Sequence, residues 1–393
     1  MPRVRTPPSS TPRADRAPAA DPARRGVVAV YSPGHLYASQ HEGACRVEAA
    51  RRLAALMGFG VAGEYDSAAP PPGPVYLLPA DTLVGLDAAR ALGIRDEHDL
   101  FGGVVPHAFV ATKAITHPLV APDAAAPAGW SHGFGRLVAG AVLHGYTAFS
   151  PRDARRAGEC LLARGPVRVK PVRATAGRGQ VVAADAAGLE AAFGAVDPAE
   201  LSAYGVALEE NLSEVTTYSV GQVRVADLVA TYWGTQRLTP DGDGEAVYGG
   251  SELVVARGGF EALDALDPPE AVRLAVAQAR AYDDAAMACF PGLCVSRRNY
   301  DVIRGLDAAG RPRSGVLEQS WRMGGASGAE IAALEAFRAD PASHAVCART
   351  VELYGPGHTT PPGATVYFHG TDERVGPMTK YAQAEPYAGP PPR

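Results

Sequence analysis

The sequence predicts a parallel α/β layer followed by a larger α+β half, and three observations carry that prediction. Strand-like and helical stretches alternate at short spacing as far as about residue 110, the order that builds a parallel layer. Beyond that point long β-type runs are joined by short polar turns, which favours antiparallel sheets. A chain of 393 residues with 47% apolar composition buries a large core without covalent staples.

Taken in order, residues 1–25 consist mainly of Pro, Ala, Ser and Arg and read as a disordered tail. GVVAVY is a buried strand, CRVEAARRLAALMGFG an amphipathic helix, PVYLLP a second strand and LDAARALGI a short helix. The polar loop SPGHLYASQHEG follows the first strand, where open α/β sheets present ligands, so Ser39 to Gly43, including His41 and Glu42, can face a cleft. TAFSPRDARRAGECLLARG is a helix with Ser150 as N-cap, Pro151 in its first turn and Asp153 closing a capping box. The strand PVRVKPV, the loop RATAGRGQ and the strand VVAAD come next, then a second helix. GVALEENL, TTYSVGQVRVADLVATYWGTQ and SELVV are β-type runs, and a long helix centres on PPEAVRLAVAQARAYDDAAMACF. LCVSRRNYDVIRGLD and SGVLEQSW are the last predicted strands, and the end of the chain, EPYAGPPPR, reads as loose.

A net charge of −5 provides no polybasic face for nucleic acid or an anionic membrane. No apolar run approaches the roughly 18 residues of a spanning helix. The five cysteines are scattered without metal spacing, as suits a reducing compartment. The expectation is a cytoplasmic protein acting on small molecules, with a homodimer as the oligomer to look for. Neither a Walker loop, an H-E-x-x-H pair nor a hydrolase triad motif is present.

Three places carry chemistry. NYDVIRGLDAAGRPRSGVLEQSWR reads as a hairpin that sets Asp301 across from Glu318, with Ser320 and Arg322 further along the second strand. Two carboxylates on a half-buried face repel unless a cation joins them, and hard oxygen ligands of this kind suit Mg²⁺. A surface hairpin with solvated acids is the bland alternative. At PVRVKPVRATAGRGQ, Lys170 ends a strand before a loop containing Gly177, Arg178 and Gly179, where backbone N–H groups can approach a phosphate. At GVALEENL, Glu209, Glu210 and Asn211 close a strand where polar groups can read the edge of a base.

The succession of a lysine in ATKAITHPL, a lysine before a glycine loop, an acidic strand end, and an Asp-hairpin-Glu with a glycine run resembles the ATP-grasp superfamily, as in D-alanine:D-alanine ligase. The resemblance implies a pre-ATP-grasp α/β domain over 26–110 and ATP-grasp subdomains over 111–207 and 208–345 with antiparallel sheets; beyond it, a C-terminal extension with a loose tail is expected over 346–393. It implies that Lys113 and Lys170 hold ATP phosphates under the loop 173–180. Glu209 or Glu210, with Asn211 and Leu212, would contact adenine. Asp301 and Glu318 would bind Mg²⁺, with Ser320 where the superfamily usually has Asn as third ligand. Arg298 would steady the transferred phosphoryl group, with Arg322 offsetting charge. The ribose-binding glutamate of the superfamily is replaced here by Thr217, with Glu214 nearby. Glu42, Gly325 and Ser327 are further substrate contacts, the last two because GGASGAEIAALEAF opens a helix whose N-terminus favours an anion. Residues 248–252 and the pair Arg297 and Arg298 are other candidates. The implied activity is an ATP- and Mg²⁺-dependent ligase joining a carboxylate to an amine through an acyl phosphate. An ATP-binding module without turnover and a kinase share the same motifs. The whole chain also resembles a bacterial family known only as a domain of unknown function.

Overall fold

The computed structural model describes residues 26–33, 39–174, 179–241 and 244–389. The expected N-terminal tail lies outside these residues, as do Gly177 and Arg178.

The chain begins with β1 (Val27–Tyr31), α1 (Gln40–Met57), β2 (Gly60–Glu64) and β3 (Val75–Pro79), which form a parallel sheet in the order β2-β1-β3. Val28, Ala29 and Val30 are at most 2% exposed, which explains the continuous apolar run of a strand covered on both faces. The edge strand β2 has no counterpart among the sequence expectations. All five of its residues are exposed, so no apolar period betrays it.

Next come β4 (Leu83–Val84), α2 (Leu86–Ala91) and β5 (Gly103–Val105), then 3₁₀ turns at Ala108–Ala111 and Lys113–Thr116. A second unit holds α3 (His132–Leu137), β6 (Gly145–Ala148), α4 (Pro151–Leu162), β7 (Val167–Pro171), β8 (Val181–Ala183), α5 (Ala186–Gly194), α6 (Pro198–Tyr204) and β9 (Val206–Glu210). Its sheet is antiparallel in the order β6-β9-β7-β8. Ser150 caps α4 by accepting from the Asp153 amide at 3.2 Å, and the Asp153 carboxylate accepts the Ser150 hydroxyl at 2.6 Å.

The remaining elements are β10 (Ser213–Val225), β11 (Leu228–Pro240), β12 (Ala246–Arg257), α7 (Phe260–Asp264), α8 (Glu270–Cys289), β13 (Cys294–Val295), β14 (Arg297–Leu306), β15 (Pro312–Ser320), α9 (Ser327–Ala339), β16 (Ala345–Tyr354), β17 (Thr365–Asp372) and β18 (Gly376–Pro386). Among the described residues they build an eight-stranded antiparallel sheet, β15-β14-β10-β11-β12-β16-β18-β17. One face of it packs Tyr300, Val302 and Val316 with Ala279, Tyr282 and Ala286 of α8. The other packs Tyr232, Leu253 and Val255 with Ile331 and Leu334 of α9, continuous with Leu53 of α1. Most of the stretch expected as a C-terminal extension is strand: β16, β17 and β18 join the large sheet. There β16 and β18 alternate side chains so that Val346, Ala348 and Ala382 enter the core beneath α9, and the apolar burial holds them in the sheet.

Candidate functional site

The hairpin β14–β15 closes over a tip in which the Asp307 carboxylate accepts the amides of Ala309 and Arg311, both at 2.9 Å. That turn sets the register, and the register sets Asp301 directly opposite Glu318 and Asn299 opposite Ser320. A bulge at Leu317, between the Asp301 and Val302 pairings, re-aims the strand at the acidic pair. Asp301 Oδ1 accepts from Ser219 Oγ at 3.2 Å, Gln236 Nε2 at 3.1 Å and Asn299 Nδ2 at 3.1 Å. Withdrawal from water and the charge of Glu318 outweigh these donors and push the Asp301 carboxyl up to about 6.

Glu318 is answered by Lys113, whose ammonium is 2.9 Å from Glu318 Oε2 and only 4% exposed. The placement is enforced by Gln319, whose amide donates to the carbonyls of Val110 (2.8 Å) and Thr112 (2.7 Å) and so ties β15 to the Lys113 turn. Lys113 also donates to the Ala174 carbonyl at the start of the glycine loop, at 2.9 Å.

The second lysine lies on β7 of the four-stranded sheet. Lys170 pairs with Glu209 of β9, and His117 Nε2 lies 3.1 Å from the other carboxylate oxygen. Burial alone would raise the Glu209 carboxyl, but Lys170 and the His117 hydrogen bond overcome it and hold it near 2. Both Glu209 oxygens are paired with neighbouring ammonium or imidazole groups in a buried setting, and the other expected base-reading carboxylate is Glu210. Glu210 accepts from Arg313 at 2.9 Å and from the His144 amide at 3.0 Å, and Asn211 Oδ1 accepts from Arg168 at 2.7 Å.

Both lysines, Glu209, Glu210 and Glu318 line one cavity of about 170 Å³ between the two antiparallel sheets. Lys113, Arg168 and Lys170 supply its positive lining, Glu209, Glu210 and Glu318 its negative lining, and Leu143, Leu212, Val215, Ile303 and Leu317 apolar walls. Gly179, just across the loop, has φ +68, a conformation that favours glycine.

Other expectations fare differently. Arg298 is turned away from the acidic pair: strand alternation sends it to α8, where it pairs with Asp283 at 2.8 Å, while Arg297 shares the Asp301 face. Arg322 lies 3.3 Å from Asp81 in the loop after β3 and is partly exposed. Ser320 Oγ accepts from Arg297 Nη1 at 3.2 Å. The Ser327 hydroxyl folds back onto the Gly324 amide at 3.1 Å and is fully buried, so it does not face a substrate. Nor is the N-terminus of α9 an open anion site, because Ser327 to Glu330 are buried and Thr350 takes the Ala329 amide at 2.9 Å. Gly325 is required because a Cβ there would fall 2.4 Å from the Tyr248 ring. Glu42 lies 3.9 Å from Arg46, which reaches the Ala80 carbonyl beside Asp81, so it stands two steps from Arg322 rather than against the acidic pair.

Ser219, Gln236 and His117 escaped the sequence reading. The first two lie on strands whose register alone brings them to Asp301. His117 had a signal, four residues after Lys113 in a short turn.

Two carboxylates facing each other, with all three protein donors on a single oxygen of Asp301, fit a hard divalent cation. Among the described residues no group of three or more His, Cys, Asp or Glu side chains joins to hold a metal, so water or phosphate oxygens would complete the shell. Among the described residues no helix is long and apolar enough to cross a membrane.

No curated protein matches the chain. Solved structures similar to it include a synthase, a carboxylase and a ligase. N5-carboxyaminoimidazole synthase from Aspergillus clavatus, in complex with ADP and 5-aminoimidazole ribonucleotide, is 12% identical with a TM-score of 0.48, covering 93% of this chain and 95% of its own. Biotin carboxylase from Campylobacter jejuni, as a beta-gamma-ATP complex, is 10% identical with a TM-score of 0.48, covering 91% of this chain and 87% of its own. Phosphoribosylamine–glycine ligase from Thermotoga maritima is 14% identical with a TM-score of 0.46, covering 92% and 93%. The match that spans the acidic hairpin, both lysines and the parallel layer together is to a sequence family over residues 29–382, and the chain belongs to that family, described as "Protein of unknown function (DUF3182)".

Proposed function

We propose that the chain is an ATP- and Mg²⁺-dependent ligase that joins a carboxylate to an amine or similar nucleophile. The observation that supports this reading most is the convergence of Lys113, Lys170 and Glu318 from different elements on one cavity between sheets, with Asp301 opposite Glu318 in the hairpin. Paired lysines suit phosphate oxygens, and the apolar walls at Leu212, Ile303 and Leu317 suit the faces of a base. Asp301 and Glu318 would hold Mg²⁺, which supplies neutralisation of phosphate charge when bound. On nucleotide binding, Lys113 exchanges its Glu318 partner for phosphate, and Lys170 stays anchored by Glu209 so that its ammonium has one direction to point.

In the reaction, a substrate carboxylate oxygen bonds to the γ-phosphorus and the bond to the β-phosphate oxygen breaks, releasing ADP. The amine then bonds to the acyl carbon, phosphate leaves, and the amine loses a proton. Charge on the transferred group falls to Lys113, Lys170 and Arg322; Arg298 has no part in it, being committed to Asp283. Catalysis is positioning and charge neutralisation throughout.

The test is ADP and phosphate release against a panel of carboxylates and amines, with nucleotide affinity measured in parallel. Substrate-stimulated release that Glu318→Ala abolishes is the expected result. ATP binding without stimulated release would favour a nucleotide-binding module, and absence of ATP binding would overturn the reading.

A further inference from the structure

Arg297 opens β14 with a guanidinium that is 1% exposed, a setting in which an arginine needs a reason. Its Nε and Nη2 grip Glu330 in the first turn of α9 at 2.7 to 3.1 Å. The remaining nitrogen, Nη1, donates to three oxygens of one short segment: the Ser320 carbonyl at 3.1 Å, Ser320 Oγ at 3.2 Å and the Arg322 carbonyl at 2.7 Å. Glu330 is fixed in turn by the Tyr232 hydroxyl at 2.5 Å. Burying such a pair gains little stability over apolar residues of the same volume, so the charge pair is explained by what it holds. It holds the bend where β15 ends and the chain turns to present Arg322.

We propose that Arg297 is the positioning residue for Arg322, shaping the Ser320–Arg322 bend from inside the fold, and that Ser320 is its anchor and not a metal ligand. The proposal deepens the ligase reading and rests on it for the role of Arg322. A guanidinium makes the six contacts from one planar fork by sharing two of its N–H groups, Nε–H between the Glu330 oxygens and one Nη1–H between two oxygens of the bend; an ammonium is a point donor and cannot span Glu330 and the bend together. The same placement explains Ser320. A hydroxyl already facing a guanidinium 3.2 Å away is a poor neighbour for a second cation.

Three variants test this. Arg297→Lys keeps the charge and loses the fork. The double variant Arg297→Met with Glu330→Gln removes both buried charges, so that folding survives where a lone deletion would leave an unpaired carboxylate. Ser320→Ala removes the anchor hydroxyl. Both Arg297 variants are expected to bind a non-hydrolysable ATP analogue within about threefold of wild type while turnover falls about a hundredfold, the split expected when only alignment is lost. Ser320→Ala is expected to leave Mn²⁺ affinity in the nucleotide complex within about twofold, whereas loss of a metal oxygen would weaken it by roughly tenfold or more. Hydrogen exchange without nucleotide should accelerate in the 320–326 peptide of Arg297→Lys and not in β7 or β9. Wild-type turnover in either Arg297 variant, or unchanged exchange in 320–326, overturns the positioning role. A tenfold loss of Mn²⁺ affinity in Ser320→Ala overturns the anchor role. A wild-type protein that binds no nucleotide sinks the ligase reading instead, and the exchange experiment still decides the clamp.

Discussion

In the proposed metal role, Asp301 ties cation affinity to proton release. Its carboxyl titrates near 6 because it is drawn out of water beside Glu318, above the ordinary 3.8, so the unliganded protein loses stability as pH rises from about 4 to about 6. A cation bound there as proposed would relieve that cost by displacing the proton. Mn²⁺ or Mg²⁺ affinity, measured by titration calorimetry, is therefore expected to weaken as pH falls below about 6 and to lose this step in Asp301→Asn. Glu209 behaves in the opposite sense. Its carboxyl is held near 2, so its contribution is present above the ordinary 4.5 and disappears only as pH falls through that range. Glu209→Gln strands Lys170 and His117 and is expected to cost about 3–5 kcal/mol in urea unfolding, the usual penalty for breaking a buried ion pair. A loss below about 1 kcal/mol would mean that these groups find water or each other.

At the scale of elements, helix α1 is capped from outside its own sequence. Asp372, at the tip of β17–β18, accepts the His41 amide at 2.9 Å and the His41 ring at 3.1 Å, besides the Arg374 and Val375 amides. Burial opposes ionisation of this carboxylate, and the converging donors lower it to about 2. Asp372→Ala is expected to cost about 1 to 2 kcal/mol, as for a lost helix cap, and to speed hydrogen exchange in residues 40–44. Equal exchange in both proteins would show that the cap is dispensable. The strand-to-helix loop carries its own constraint: Gly325→Ala drives a Cβ into the Tyr248 ring. It is expected to lower turnover by displacing Arg322 while leaving nucleotide affinity near wild type, a difference that steady-state kinetics and calorimetry separate.

At the scale of the whole molecule, β16–β18 form one end of the eight-stranded sheet and part of the core beneath α9. Truncation after residue 344 strips partners from β12 and uncovers Tyr232, Leu253 and Val255, so the shortened chain is expected to aggregate on expression, with circular dichroism checking any soluble fraction. The local chemistry of the sequence made β1, α1, α4, α8 and the β14–β15 hairpin legible, because apolar period, a Ser-Pro-x-Asp cap and a Gly-containing tip act over a few residues. The opposition of Asp301 to Glu318 could be read for the same reason, since a hairpin tip fixes the pairing of its own arms. Tertiary structure decided the rest. Which cation answers which carboxylate, why Arg297 and not Arg298 shares the Asp301 face, and how Gln236 and Ser219 reach Asp301 depend on register between strands far apart in sequence. A shift of one residue in that register turns each side chain to the opposite face, and only packing of the assembled sheet against α8 and α9 selects the pairing that forms the site.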